Sequence, residues 1–364
     1  MTPEDDITPA SLDAAGDRSQ PTCLITGGSG FLGINLVRYL LQHGMSLRTL
    51  DIAPFDYPEQ VRIDAWQGDI RDGAAVDQAL EGVTTVVHCA AALPLAPAAE
   101  IMSTGVDGTR TLLEASLRHG VRRFIFTSST AVYGIPEHHP IREDDALRGV
   151  GPYGNSKIQA EQLCAEFRRH GVCVPVLRPK TFIGPERLGV FEILYEWAFE
   201  GRRFPVLGRG DNAYQLLDVA DLCEVIHRCM VLDEAVVNDV FNVGALDIGT
   251  MKENVQAVLD RAGHGSKAVC LPAAPAVLAL RVLHALKLSP LYEWIYRTAD
   301  RDSVVSIDRL QSRLGYTPTR SNRSALEANY DWYVQHRHEF QGHVGISHRT
   351  PWRKGVLGWA KWCF

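Results

Sequence analysis

Tyr153 and Lys157, four residues apart, are the side chains of this 364-residue chain best suited to acid–base chemistry. They open a run, residues 152–169, that is predicted to be a helix, with Pro152 in its first turn and Gly171 at its end. Side chains four apart share one helix face, and a nearby ammonium favours phenolate over phenol. We therefore expect Lys157 to lower the pKa of Tyr153 and make it a proton acceptor. Taken alone, such a pair is more often part of a solvated helix surface.

A pair of serines offers a hydrogen-bond donor for the reacting oxygen. The apolar run that begins at Phe124 predicts a buried strand, and it ends in Ser128, Ser129 and Thr130. The carboxyl end of a parallel strand faces the ligand crevice. Ser129 is our choice of donor and Ser128 is the alternative, since one of the two could instead cap the strand end by bonding the backbone.

A glycine cluster upstream indicates which cofactor these side chains would serve. Residues 26–33 read Thr-Gly-Gly-Ser-Gly-Phe-Leu-Gly, follow an apolar strand-like run and open a predicted helix at 31–43. This order is typical of a dinucleotide-binding turn, in which a pyrophosphate lies on the amides of a helix N-terminus. The next strand ends on Asp51, about twenty residues further on, where a carboxylate suits a ribose diol and repels a 2'-phosphate. The alternative is an ordinary solvated aspartate. We expect NAD rather than NADP.

Composition narrows the class of protein. The chain is 46% hydrophobic with a net charge of −6, and its mean hydropathy is −0.08, so it can build a large core in one or two domains. Without a basic block, nucleic acid is not an expected partner. The eight cysteines have no CxxC spacing and indicate a reduced, cytoplasmic protein. No metal site is predicted, because the C-terminal histidines lack ligand spacing with cysteine or carboxylate partners: His336, His338, His343 and His348.

The order of apolar runs predicts an α/β fold, a Rossmann-type doubly wound parallel sheet with a smaller mixed α/β substrate lobe after it. Predicted strands cover residues 22–25, 47–50, 65–67, 85–88, 123–128 and 173–177. Glycines and prolines break the pattern after Arg178, so the sheet is expected to be essentially complete there. The predicted organisation is a disordered acidic leader at 1–20, an NAD-binding domain at 21–180, a substrate lobe at 181–340, some of which could return to the sheet, and a basic-aromatic tail at 341–364.

These motifs together resemble the extended short-chain dehydrogenase/reductase family, in its NAD-dependent epimerase/dehydratase branch, over about residues 21–335. The resemblance implies Ser129, Tyr153 and Lys157 as the catalytic triad, and residues 178–185 as the segment that lines the nicotinamide and opens the substrate pocket. It implies an NAD site made of Gly27, Gly30, Phe31, Leu32, Gly33, Asp51, Asp69, Ile70, His88, Ala90, Ala91, Tyr153, Lys157 and Arg178. The expected substrate-binding residues are Ser128, Ser129, Thr130, Thr181 and Tyr214. A homodimer is usual for relatives and is expected here.

Three departures from the family pattern bear on the reaction. Where 4,6-dehydratases carry an Asp-Glu pair, this chain has Thr130 and Ala131, so loss of water is not expected. Gly105 stands where many relatives have asparagine. Tyr214 stands where sugar-nucleotide enzymes usually place an arginine for the diphosphate, and a phenol does not replace a bidentate guanidinium. Other arginines could substitute: Arg202, Arg203 and Arg209.

The predicted function is an NAD-dependent epimerase, of a nucleotide sugar, that oxidises a secondary alcohol transiently with Tyr153 as acid and base. The alternative is an NAD-dependent dehydrogenase of a lipophilic, sterol-like or polyketide-like alcohol, favoured by Tyr214 and the apolar run 275–288. A non-catalytic NAD-binding protein is a third, weaker hypothesis. The tail interleaves tryptophans with basic residues, so it could make a peripheral membrane contact or pack on its own protein.

Overall fold

The computed structural model describes residues 23–186, 191–285, 300–338, 345–347 and 350–351. The predicted leader and nearly all of the predicted tail lie outside these residues. In chain order the strands are β1 (Cys23–Thr26), β2 (Leu47–Asp51), β3 (Asp64–Gln67), β4 (Thr85–His88), β5 (Arg123–Thr127), β6 (Val176–Pro179), β7 (Thr181–Ile183), β8 (Phe204–Leu207), β9 (Leu216–Asp218), β10 (Val240–Val243), β11 (Ala268–Leu271), β12 (Gly345–Ser347) and β13 (Thr350–Pro351).

The helices lie between and after these strands. They are α1 (Phe31–Gln42), α2 (Gly73–Ala79), α3 (Ala98–Met102), α4 (Thr109–Arg118), α5 (Gly151–Arg169), α6 (Phe191–Phe199), α7 (Val219–Val231), α8 (Glu234–Val237), α9 (Met251–Ala262), α10 (Ala273–Ala285), α11 (Asp308–Leu314) and α12 (Asn322–His336). Short 3-10 turns cover Pro58–Arg62 and Thr130–Tyr133, and a π-helical turn joins α3 to α4 at Ser103–Gly108.

Seven parallel strands form the central sheet in the order β10-β6-β5-β4-β1-β2-β3. A parallel sheet must be covered on both faces, and β1 shows this by alternation. Its Ile25 packs into a core cluster with α1 and α7, and its Leu24 packs into a second cluster with α2, α4 and α5. The predicted Rossmann-type doubly wound fold is confirmed.

The seventh strand, β10, comes from the part of the chain that was predicted to be the substrate lobe. It pairs in parallel with β6, with Phe241 opposite Leu177 and Val243 opposite Pro179. The prediction that the sheet is complete near Arg178 is therefore wrong by one strand, and the alternative that a later segment returns to the sheet is correct. β10 is only four residues long, and it is in the sheet because it pairs with β6, which is far away in the chain. Local sequence patterns do not reveal such a pairing.

The C-terminal part builds a smaller third core from α6, α9 and α12 with the strand pairs β7–β9 and β8–β11. Tyr195, Val258 and Leu259 are fully buried at its centre. α9 begins with a capping box between Thr250 and Glu253. Among the described residues, no helix has both the length and the apolar character needed to cross a bilayer.

Candidate active site

A crevice of about 410 Å³ runs along the carboxyl edge of the sheet, where β1, β2, β4 and β5 end. The structure gathers twelve of the predicted NAD-site residues in its lining: Gly27, Gly30, Phe31, Leu32, Gly33, Asp51, Asp69, Ile70, Ala90, Ala91, Tyr153 and Lys157. Residues that are distant in sequence thus meet in one continuous site.

The glycine turn at one wall leaves its backbone open to a ligand. Gly27 has φ +72°, and a Cβ there would lie 2.7 Å from the Ala90 nitrogen. A Cβ on Gly33 would lie 2.2 Å from the Gly27 carbonyl oxygen, so the turn and the helix approach too closely for a side chain. Gly30 is the N-cap of α1 and has no side chain that could bond the amides of that helix end. Such amides bind a pyrophosphate, so these residues fit a dinucleotide.

Asp51 is held at the far end of the crevice by two backbone amides. Its carboxylate oxygens accept hydrogen bonds from Ser29 N at 3.0 Å and Ala53 N at 2.9 Å. Arg71 also lines the crevice, but its guanidinium pairs with Asp69 at 2.5 Å. A fixed carboxylate suits the two hydroxyls of an adenosine ribose better than a 2'-phosphate.

Tyr153 and Lys157 lie at the other end of the crevice, on the first turns of α5. The Lys157 ammonium is 5% exposed, donates to the Thr127 carbonyl oxygen at 2.8 Å, and lies 6.0 Å from the centroid of the Tyr153 ring. Burial lowers the pKa of Lys157 to about 8. At neutral pH this lysine is therefore still a cation, placed beside the phenol whose anion it would stabilise.

The two serines after β5 take different places. Ser128 lines the crevice, and its hydroxyl donates to a Glu161 carboxylate oxygen at 2.5 Å. Ser129 is half-buried outside that lining, and its hydroxyl oxygen accepts from Ala131 N at 3.1 Å, which caps the following 3-10 turn. The backbone-capping alternative thus falls on Ser129. Its role as donor to the reacting oxygen stays a prediction.

His88 and Arg178, both expected in the NAD site, have side chains that the structure places behind the crevice wall. His88 is fully buried between the hydroxyls of Thr26 and Thr109, at 2.7 and 3.0 Å, and burial lowers its pKa to about 3. The Arg178 guanidinium pairs with Glu161 at 2.6 Å and is 4% exposed. Buried partners occupy both side chains, which support the strands that carry the site. A direct contact of either residue with NAD stays a prediction.

The remaining predicted substrate residues lie beyond the crevice lining. Thr130 opens the 3-10 turn after β5, Thr181 is exposed at the start of β7, and Tyr214 is half-buried in a β-bridge with Ser303. They surround the carboxyl ends of β5 and β6, next to the Tyr153 end of the crevice. Their contact with a substrate stays a prediction.

Three further residues complete the site. Phe182, which belongs to the segment 178–185 expected to line the nicotinamide, lines the crevice and stacks on Phe31, with ring centroids 5.3 Å apart. Cys89 also lines it, with its sulfur 3.6 Å from the Thr127 hydroxyl. Glu161, which sequence reasoning missed, joins Ser128 to Arg178. The sequence held a signal for Glu161, because it lies four residues after Lys157 on the same helix face.

Comparison with known proteins places this geometry in a family. The model of the NAD dependent epimerase/dehydratase family matches residues 23–244. The chain is 34% identical to the uncharacterized protein y4nG of Sinorhizobium fredii over 92% of this chain and 84% of that protein. It is 30% identical to a dTDP-glucose 4,6-dehydratase of Streptomyces griseus over 86% of this chain and 94% of the relative. The UDP-glucose 4-epimerase structure from Thermotoga maritima, 22% identical, shares the fold with a TM-score of 0.71 over 86% of this chain and 98% of that one.

Proposed function

Because the chain belongs to the NAD-dependent epimerase/dehydratase family of extended short-chain dehydrogenases/reductases, with NAD as its cofactor, we propose that it epimerises a sugar carried on a nucleoside diphosphate. The relative from Streptomyces griseus has a nucleotide sugar in its name, which supports this class of substrate. The proposed reaction oxidises one secondary alcohol to a ketone and then reduces that ketone by returning the hydride to its opposite face.

Tyr153 is the proposed acid and base. It takes the proton of the substrate hydroxyl in the oxidation and returns a proton to the same oxygen in the reduction. Lys157 favours the phenolate by its charge, held in place by the Thr127 carbonyl. Ser129, with Ser128 as the alternative, donates a hydrogen bond to the reacting oxygen. Bound NAD supplies the hydride acceptor and donor for this chemistry.

The convergence of Tyr153 and Lys157 on the inner end of the crevice carries the proposal. Beside them, the turn after β5 holds Thr130 and Ala131 in place of a carboxylate pair. A hydroxyl and a methyl group can neither protonate a leaving hydroxyl nor remove a carbon-bound proton. The site has groups for reversible oxidation and lacks groups for dehydration at these positions.

A second candidate is the dehydrogenase of a lipophilic alcohol, which would release NADH. The apolar helix α10 favours it, since Leu278 on that helix is 62% exposed. Against it stands a buried charge near the catalytic edge, because Lys180 lies over the ring of Tyr214. An apolar ligand would leave that charge without compensation.

One experiment separates the two. The purified protein with its NAD is incubated with UDP-glucose, UDP-glucuronate and a sterol alcohol, while absorbance at the NADH band and sugar isomers are followed. The epimerase interconverts isomers without a net rise in NADH. Net NADH formed from the sterol, with no sugar isomer, would replace the proposed function by the second candidate.

Two sequence predictions about partners stay proposals. The homodimer would form through the exposed faces of α4 and α5, the usual surface in relatives. Membrane contact would depend on the basic-aromatic tail, whose tryptophans lie outside the described residues.

A further inference from the structure

Lys180 is a buried lysine that the proposed reaction does not use. It follows β6 directly, its backbone N–H donates to the Val243 carbonyl at 2.8 Å, and the residue is 5% exposed. Its ammonium donates to the Ser303 hydroxyl at 2.6 Å and lies 5.3 Å from the centroid of the Tyr214 ring. Within the described part of the chain, no carboxylate pairs with it.

A buried ammonium without an anion is unfavourable, because burial removes its hydration and nothing of opposite charge replaces it. Here burial alone lowers the pKa of Lys180 to about 7. A hydroxyl and an aromatic face offset part of that loss. An anion that arrives with the substrate would complete the compensation.

The backbone of Lys180 lies at the carboxyl edge of the sheet, as the residues of the proposed reacting site do. β5 and β6 are neighbours, with Thr127 opposite Leu177, so Lys180 lies just beyond the level of Ser129 on the adjacent strand. Adjacent strands are about 4.8 Å apart. The backbone of Lys180 therefore lies at the edge of the sheet where the proposed oxidation takes place.

Space for a ligand group opens next to its partner. Ser303 lines a pocket of about 200 Å³ whose wall continues from the end of the catalytic turn: Gly134, Ile135, Pro136, His139, Arg301 and Asp302 complete the lining. The Asp302 carboxylate accepts from Ala213 N at 2.8 Å, which gives it a backbone partner away from the ammonium.

We infer that Lys180, together with Ser303, binds a carboxylate next to the reacting carbon of the substrate, so that the preferred sugar is a sugar acid. The inference rests on the proposed function for its assignment of the reacting edge. One ammonium and one hydroxyl match the two oxygens of a carboxylate. A diphosphate carries more charge than one such ammonium neutralises and is usually bound by a bidentate guanidinium.

The test measures binding to the NAD-loaded protein by calorimetry, with free glucuronate against glucose and UDP-glucuronate against UDP-glucose. We expect the wild type to prefer the acid of each pair by about ten- to a hundredfold, as for a charge-assisted hydrogen bond. Lys180→Met should reduce that preference to less than twofold, and Ser303→Ala should reduce it in part. Lys252→Met, which changes an exposed lysine, is the matched control and should keep it.

Each result has one meaning. No preference in the wild type, or a preference that survives in Lys180→Met, overturns the inference, and in that case tight binding of both UDP-sugars leaves the proposed function standing. A Lys180-dependent preference for free glucuronate without binding of either UDP-sugar supports the inference and removes the nucleotide carrier from the proposed function. Ser303→Ala keeps the test decisive if Lys180→Met does not fold.

Discussion

Two regions at the edge of one sheet each bury a lysine, and their surroundings differ. Lys157 donates to a backbone carbonyl beside Tyr153, in a crevice lined by residues that the family motifs predicted. Lys180 donates to the Ser303 hydroxyl and lies over the ring of Tyr214, and no motif pointed to Ser303. The first region fixes a cofactor common to the family. The second holds Tyr214, which departs from the expected family pattern, so it is the region to examine for the choice of substrate.

The largest expected effect breaks the first region alone. Tyr153→Phe removes the proton-transfer group and keeps the ring, so turnover should fall by about 10²- to 10⁴-fold. The Kd for NAD should stay within about twofold, because the substitution changes neither the amides at the N-terminus of α1 nor Asp51. Turnover and NAD titration of the same preparation check this. A variant that keeps its turnover would exclude Tyr153 as the base.

A smaller effect is expected at the adenosine end. Asp51→Ala removes the carboxylate held by Ser29 and Ala53, so NAD should bind about tenfold more weakly, which is about 1.4 kcal/mol. Binding of NADP should change less, since its 2'-phosphate no longer meets a negative charge. Equal losses for both dinucleotides would contradict the ribose role of Asp51. Asp72→Ala, at the start of α2, is a control for the loss of a capping aspartate.

The smallest effect sharpens the second region. The pKa of Lys180 falls from 10.5 to about 7 in the folded protein, so between these values the unfolded chain binds more protons. The buried charge thus lowers the free energy of unfolding by its full amount below pH 7, and this destabilisation decreases as the pH rises to 10.5. Lys180→Met should raise the melting temperature by a few degrees at pH 6, and the gain should shrink by pH 9. Calorimetric scans at both values decide, and a gain independent of pH would argue against a buried charge.

The residues of the expected NAD crevice could be predicted from the sequence because the patterns that mark them are local in the chain. Gly27 and Gly33 mark a backbone approach too close for a side chain, and Asp51 ends the strand next to that turn. Alternating strands and helices then predict the sheet. Motifs of this kind depend on spacing in the chain, so they need no knowledge of distant contacts.

The rest depended on contacts that spacing does not encode. Ser129 caps its own turn and Ser128 bonds Glu161, although the two adjacent hydroxyls look equivalent in the sequence. Arg178 reads as a site residue, yet it is neutralised by Glu161 beneath the strands. Lys180 falls in the segment 178–185 that the resemblance placed at the nicotinamide and the substrate pocket, but the sequence does not show which groups surround its side chain. The structure shows that its hydrogen-bond partner is the neutral hydroxyl of Ser303, more than a hundred residues away in the chain.

The seventh strand, β10, limits where the chain can be truncated or its substrate lobe exchanged. β10 pairs with the edge of β6, and the carbonyl of its last residue, Val243, accepts a hydrogen bond from the backbone N–H of Lys180. A fragment cut after residue 180 would leave the β6 edge without its ladder partner and open to pairing with other chains. A chimera with the substrate lobe of another protein must therefore include a strand that pairs with β6 as β10 does. Without such a strand we expect the chimera to aggregate.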